Sequence, residues 1–253
     1  MSNQSNSYQL IAWGQPRLWW VKLVNGAIPE LARWKKMFTP KEGTTNVSVT
    51  EGEQRSAKVE GGKKIAERKD ADEFYFNFEQ YARTPETGIE PEMPFDPSHD
   101  GQIGGEYAIR LQPEYAGAVG LRIDKCTASV QPNWTAEEGT VHAFRCPILM
   151  PNDGSDMTKW QVVEAPVCLD TYDLQFGSAA DSNGKVVTVE NATGAITATS
   201  SETWCTVTPT ADGSGLKVTV SANSGSSERT ALVTVKVGGT DVTTFDVTQA
   251  ASE

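Results

Sequence analysis

Two histidines, His99 and His142, are the only side chains in this 253-residue chain whose unperturbed charge changes near neutral pH. His99 lies in Asp96-Pro-Ser-His-Asp100, where two carboxylates flank an imidazole. Such a trio could contribute to a metal site, but no second His or Cys stands nearby to complete a ligand set. His142 lies in an alternating run, the ordinary setting of a structural histidine. Asp153-Gly-Ser-Asp156 has the acids of a calcium loop without its length or its closing Glu, so it is expected to be a turn. Gly61-Gly62-Lys63-Lys64 lacks the spacing of a phosphate-binding loop. Cys126, Cys146, Cys168 and Cys205 form no C-x-x-C pair, so they are expected to be buried free thiols rather than zinc ligands. No nucleophile and base are paired by spacing. No catalytic site, metal or cofactor is expected, and the chain is read as a non-enzyme.

Charge narrows the remaining classes. The formal net charge is −11. From Thr171 onward four basic residues face nine acidic ones, a net of −5, which leaves −6 for the remainder. Both parts are acidic, which argues against a protein that grips nucleic acid through phosphate contacts. It is compatible with a surface past which nucleic acid slides. The polar start, Met1-Ser-Asn-Gln-Ser-Asn-Ser7, has no apolar core, so neither a secretory signal nor membrane insertion is expected. Asn46-Val-Ser48, Asn133-Trp-Thr135 and Asn191-Ala-Thr193 have the form of glycosylation sequons and, without export, are ordinary strand and turn residues.

The elements that must position any site are strands. Residues 1–27 read as an N-terminal arm with short extended pieces. Pro29 could open a short helix through Phe38, with Leu31, Trp34 and Phe38 on one face. A hairpin is expected over Thr45–Glu60, with Glu51-Gly52-Glu53 as its turn and Gly61-Gly62 as its end. A charged connector then leads to Asp72, and Phe74, Phe76 and Phe78 alternate with Tyr75, Asn77 and Glu79 as an amphipathic strand. Residues 83–105 form a long Pro-rich loop, of a length usually reserved for function or contacts. Strands resume at Tyr107-Ala-Ile-Arg-Leu111, Gly120 to Val130, Val141 to Leu149 and Trp160-Gln-Val-Val-Glu164.

Beyond about Leu169 the composition turns to Thr, Val, Ser and Gly. Strict alternation at 217–221, 231–237 and 244–249, punctuated by Gly and Asn clusters, predicts an antiparallel sandwich. The chain is therefore read as all-β in two parts: an assembly domain over 1–168, and an immunoglobulin-like sandwich over 169–253.

The runs Leu174-Gln-Phe-Gly-Ser-Ala179, Val186-Val-Thr-Val-Glu-Asn191, Trp204-Cys-Thr-Val207, Leu216 to Asn223, Arg229 to Val235 and Val247-Thr-Gln249 carry a resemblance to the BACON family. That resemblance implies an immunoglobulin-like β-sandwich and a role in binding glycans or mucin, with Trp204, Asn223 and Arg229 as glycan contacts. The residues themselves favour a core place beside the sheet for Trp204 over a sugar platform, and a loop-fixing role for Asn223 and Arg229.

The first part resembles the major tail tube proteins of bacteriophages. The likeness rests on the 45–60 hairpin, the Gly61-Gly62 break, the connector to Asp72, the strand from Glu73 to Phe78, and the closing run Val141 to Pro151 with Trp160 to Glu164. It implies a β-sandwich or barrel whose copies form hexameric rings, stacked into a tube with a lumen for DNA, with the immunoglobulin-like domain outside. It further implies a virion protein, assembled in the host cytoplasm beside other phage tail proteins. Ser48, Thr50, Ser56, Lys58 and Glu60 would face the lumen, or else solvent or a neighbouring subunit. In a different class stands a carbohydrate-binding surface protein with no tube role, whose first part is a docking platform.

Overall fold

A computed structural model describes residues 14–82, 93–97 and 102–252. Tyr8, Leu10 and Trp13 of the expected arm, most of the 83–105 loop and His99 lie outside the described residues. Every regular element described is a strand, and among the described residues no helix is long and apolar enough to cross a membrane.

The first part holds β1 (Arg17–Lys22), β2 (Lys35–Lys36), β3 (Asn46–Thr50), β4 (Gln54–Lys58), β5 (Lys64–Lys69), β6 (Glu73–Tyr81), β7 (Tyr107–Gln112), β8 (Val119–Cys126), β9 (Ser129–Thr135), β10 (Gly139–Pro147) and β11 (Lys159–Val162). Two sheets, ordered β11-β8-β7-β1-β2 and β3-β6-β10-β9, form a sandwich. Its core takes Leu18, Trp20, Ile109 and Ile123 from the first sheet and Phe76, Phe78 and Phe144 from the second. Phe78 and Phe144 stack with ring centroids 4.8 Å apart. The β4–β5 pair is a separate two-stranded ribbon.

The second part holds β12 (Cys168–Leu169), β13 (Asp173–Phe176), β14 (Asp181–Glu190), β15 (Ile196–Ser200), β16 (Cys205–Pro209), β17 (Gly215–Val220), β18 (Arg229–Val237) and β19 (Thr240–Gln249). Sheets β12-β14-β17-β16 and β13-β19-β18-β15 enclose Val187, Leu216, Val218, Val233, Val235, Phe245 and Val247. Alternation places those residues on the inner faces, which is why the Thr residues between them face out. The β13–β19 pair is parallel, and all the other strand pairs of this sandwich are antiparallel.

Three sequence expectations are corrected. Residues 17–22 are not an arm but β1, a strand buried on both faces. Leu18 and Trp20 enter the main core, while Trp19 and Val21 join Ala32, Trp34, Ala108 and Cys168 behind the sheet.

The helix expected from Pro29 to Phe38 is absent. That segment turns at Glu30-Leu31 and is extended from Trp34 to Lys36, and partners in the second sandwich take two of its carbonyls. Thr243 Oγ1 donates to the Ala32 carbonyl at 3.1 Å, and the Tyr172 hydroxyl donates to that of Trp34 at 2.6 Å. Arg33 donates to Asp246 at 2.6 Å, and Lys36 to Glu190 at 2.8 Å. These bonds clasp the two sandwiches together.

The 45–60 hairpin is replaced by different pairings. β3 pairs with β6, where Val47 faces Phe76 and packs on the core. β4 pairs instead with β5, inside the stretch read as a charged connector. Gly61 and Gly62, at φ +90° and +81°, make the ribbon's turn rather than ending a strand. Gly52 sits where the ribbon leaves the sheet. A Cβ there would lie 2.0 Å from the Asp70 carbonyl oxygen, so the crossing of the two chain segments requires glycine.

Candidate assembly surface

The sheet β3-β6-β10-β9 has one dry face and one wet face. Strand parity sends Phe76, Phe78, Phe144 and Cys146 inward and Asn46, Ser48, Tyr75, Asn77, Glu79, Gln131 and Arg145 outward. The outer face is a hydrogen-bonded polar surface. Asn77 Nδ2 donates to Asn46 Oδ1 at 3.1 Å and to Ser48 Oγ at 2.9 Å, while the Arg145 guanidinium stacks over Tyr75 at 3.9 Å. The Tyr75 hydroxyl donates to Glu73, and that bond holds its proton, raising the phenol above its ordinary range. Both edge strands, β3 and β9, lack a partner on their far side among the described residues.

The five residues expected to face a lumen fall into two groups. Ser48 and Thr50 lie on this outer face. Ser56 and Lys58 lie on the ribbon and Glu60 at its tip, away from the sheet. All five are exposed, but they do not share one surface as a single hairpin would require.

The two ends of this sheet differ. At the Thr50 end the ribbon projects with every strand residue exposed. At the Asn46 end a groove of about 740 Å³ opens between residues 39–45 and the β7–β8–β11 margin, with Leu111, Val119 and Trp160 in its wall. Trp160 is 61% exposed, and Trp134, opposite Thr140 on the β9 edge, is 71% exposed. Lys41 at this groove donates to Glu138 at 2.7 Å, and that bond raises its ammonium above the ordinary lysine range. Neither tryptophan was singled out as a surface residue from sequence. Trp160 stands in strand-like alternation that fits a core position equally well.

Behind the five-stranded sheet lies the densest charge cluster. Asp124 accepts from Arg110 at 2.8 Å, Arg122 at 2.7 Å and Lys159 at 2.8 Å. Burial alone would raise the Asp124 carboxyl, but the Arg122 and Lys159 hydrogen bonds and the Arg110 charge outweigh it and hold the group at about 2. Burial pulls Arg110 down to about 10, against the pull of Asp124. Every partner here is satisfied, and Arg110 also covers the Trp34 ring at 5.0 Å. The cluster is a structural clamp rather than a reactive site. Among the described residues no group of three or more His, Cys, Asp or Glu is placed to hold a metal ion. His142 is buried at the β6–β10 seam, and burial lowers its pKa. All four cysteines are free and buried.

In the second sandwich the structure brings Trp204, Asn223 and Arg229 to one end and ties Asn223 and Arg229 into the chain there. Arg229 stacks over Trp204 at 4.4 Å and donates to Gln249 Oε1 and to the carbonyls of Ser221 and Ala222. Gln249, fully buried, donates to the carbonyls of Ser178, Ala179 and Ser221. Asn223 donates to Ser227 and Ala250 and accepts from Gly225. The trio closes one end of the sandwich core, with the Asn223 amide and the Nε and Nη2 groups of Arg229 engaged by the chain's own atoms and the Trp204 ring covered by the guanidinium.

Residues 194–250 match the model of the BACON family, described as "Putative binding domain, N-terminal". The second sandwich carries a BACON domain. The match starts at β15, so strands β12 to β14 precede it. No curated protein matches the sequence.

Proposed function

We propose that this chain is a structural subunit of a phage tail tube, forming stacked rings around a lumen through which DNA passes. The observation that carries the reading is the sheet β3-β6-β10-β9, with one polar uncovered face and two unpartnered edges. Its pairs are all antiparallel, so β3 and β9 run in opposite directions. Joining β3 of one copy to β9 of the next would continue the antiparallel order around a ring and remove the free edges. Pro132 withholds one donor from the β9 edge, so the seam would be short. The polar faces would then line the hole. Their few charges are Glu73, Glu79 and an Arg145 already stacked on Tyr75, which gives passing phosphates little to hold. Ser48 and Thr50 would face the lumen, and the BACON domain would decorate the outside in many copies. Other tail proteins would be its further partners, and the virion its final location.

Electron microscopy of the purified chain tests this. Rings or tubes are expected, and a protein that stays monomeric at high concentration sinks the reading. The family match favours a second reading, in which the outer domain binds host-surface or mucin glycans and the chain has no tube role. A glycan array probed with the full chain separates the two. Glycan binding by a strictly monomeric protein would favour the second.

A further inference from the structure

We infer that the β4–β5 ribbon of one copy docks in the groove at the opposite end of a second copy, an end-to-end contact that extends the assembly along its axis. The inference rests on the tube reading and specifies its stacking contact.

The ribbon needs a surface that its own chain does not supply. All eleven residues of β4 and β5 are exposed, and a two-stranded ribbon with neither face covered is marginal in water. Ala57 and Ala66 face each other across it, with Val59 two residues further along the same side, and Ile65 is 61% exposed. Its charge is the inverse of the chain's. Residues 54–69 carry six basic and two acidic side chains, a net of +4 in a protein of −11. Arg55, Lys64, Arg68 and Lys69 are tied to Glu53, Glu67, Asp70 and Asp72. Lys58 and Lys63, either side of the turn, have no ion-pair partner among the described residues. With those pairs counted, the surplus left over is one positive charge at the tip, where Lys58 and Lys63 outnumber Glu60.

The groove offers the complement. Trp160, Val119 and Leu111 supply an apolar wall, and Glu42 lies on its lining. Lys41, also on the lining, holds Glu138 at the rim, with Glu137 exposed beside it. Glu42 and Glu137 have no ion-pair partner among the described residues. Position completes the argument. β3 follows directly from the groove segment at Asn46 and ends at Thr50, where the chain leaves for the ribbon. Thr50 pairs with Glu73 at one end of β6, and the chain past Tyr81 at the other end bonds back to Thr140 beside the Glu137–Glu138 turn. Donor and acceptor thus sit at opposite ends of one sheet. A head-to-tail contact of this kind uses two different patches and propagates as a filament.

The test uses the full chain. Lys58→Glu with Lys63→Glu changes exposed side chains with no ion-pair partners, so the fold is expected to be kept. Sedimentation should show end-to-end association weakened roughly tenfold or more, and microscopy should show rings that no longer stack. Adding Glu42→Lys and Glu137→Lys to the same chain should restore most of the association. A Lys63→Cys, Glu42→Cys variant should give a ladder of cross-linked multimers on oxidation, since the native thiols are buried. If the double-charge variant forms tubes as wild type does, or the ladder never forms, the ribbon contact is wrong while the tube reading stands. Strings of copies without rings would support the ribbon contact and sink the tube. Wild-type protein that never associates overturns both.

Discussion

The two sandwiches of this chain are built for different surroundings. Of thirteen large hydrophobic side chains exposed among the described residues, eleven belong to the first sandwich and only Val186 and Leu232 to the second. The first also keeps its titratable tension inside, in the Asp124 clamp and at His142. The buried polar groups of the second, Asn223, Thr243, Thr244 and Gln249, carry no charge. The second is finished as it stands, with even its most prominent aromatic, Trp204, covered by Arg229. The first leaves sheet edges, a bare ribbon and an open groove. The proposed assembly would cover the apolar residues gathered at that groove and ribbon, Val119 and Trp160 at the one and Val59 and Ile65 at the other.

The largest effect that would sharpen this contrast is expected from Asp124→Ala. It would strand Arg110, whose side chain is 10% exposed, and deprive Arg122 and Lys159 of their shared anion. Removing one partner of a buried ion pair costs about 3–5 kcal/mol. Calorimetry should show the loss in the first sandwich only. Gln249→Ala is its counterpart in the second. It would leave Arg229 and the carbonyls of Ser178, Ala179 and Ser221 short of partners, at a cost of about 3 kcal/mol. If either substitution lowers both transitions equally, the clasp through Trp34 and Tyr172 makes the sandwiches one cooperative unit and the contrast is too sharp.

Acid should separate them next. The Asp124 carboxyl is held at about 2 in the folded chain, below its ordinary 3.8. A depressed carboxylate stabilises the fold above the unfolded value, and that contribution, about 2 kcal/mol, is lost as pH falls from about 4 through 2. His142 acts in the same direction from higher pH. Its folded pKa is lowered by burial, so below about 6.5 the unfolded chain takes up a proton that the folded chain resists. Both groups are shielded within the first sandwich, whereas the depressed carboxyl of the second, Asp212, is an exposed turn residue whose interactions water screens, so the first should melt first in an acid titration followed by tryptophan fluorescence. Six of the seven tryptophans are in residues 1–168, so the signal reports that part.

The contrast also explains what the sequence disclosed. The second sandwich was legible because β17 and β18 alternate clearly and two of its pairs, β16 with β17 and β18 with β19, join chain neighbours. The first was legible only where one face is wet. The β6 strand announced itself through Phe74, Phe76 and Phe78, and parity alone placed Ser48 and Thr50 on an outer face. β1 was hidden because Leu18, Trp19, Trp20 and Val21 are all buried, and a continuous apolar run has no period to read. The false helix at 29–38 arose because Leu31, Trp34 and Phe38 stand at helical spacing. What decides that segment is Thr243 and Tyr172, more than 130 residues away. The 45–60 hairpin failed for a related reason. Proximity favoured β3 with β4, but the buried phenylalanines of β6 offered Val47 a better neighbour. Trp134 and Trp160 were missed because no local pattern tells that the opposite sheet stops short of them.

The smallest effect on stability should be the most informative about function. Trp160→Ser and Leu232→Ser each replace an exposed apolar side chain, one in each sandwich. Neither fills a core, so each should change unfolding free energy by no more than about 0.5 kcal/mol. They should part company in self-association. Trp160 lies in the groove wall, and buried tryptophans dominate interface energetics, so its loss should weaken assembly by roughly tenfold or more in sedimentation. Leu232, on the outward side of β18, should leave assembly untouched. Equal effects of the two would mean that exposure in the first sandwich carries no more meaning than exposure in the second. An effect of Leu232→Ser alone would move the contact surface to the BACON domain and reverse the division of labour between the two halves.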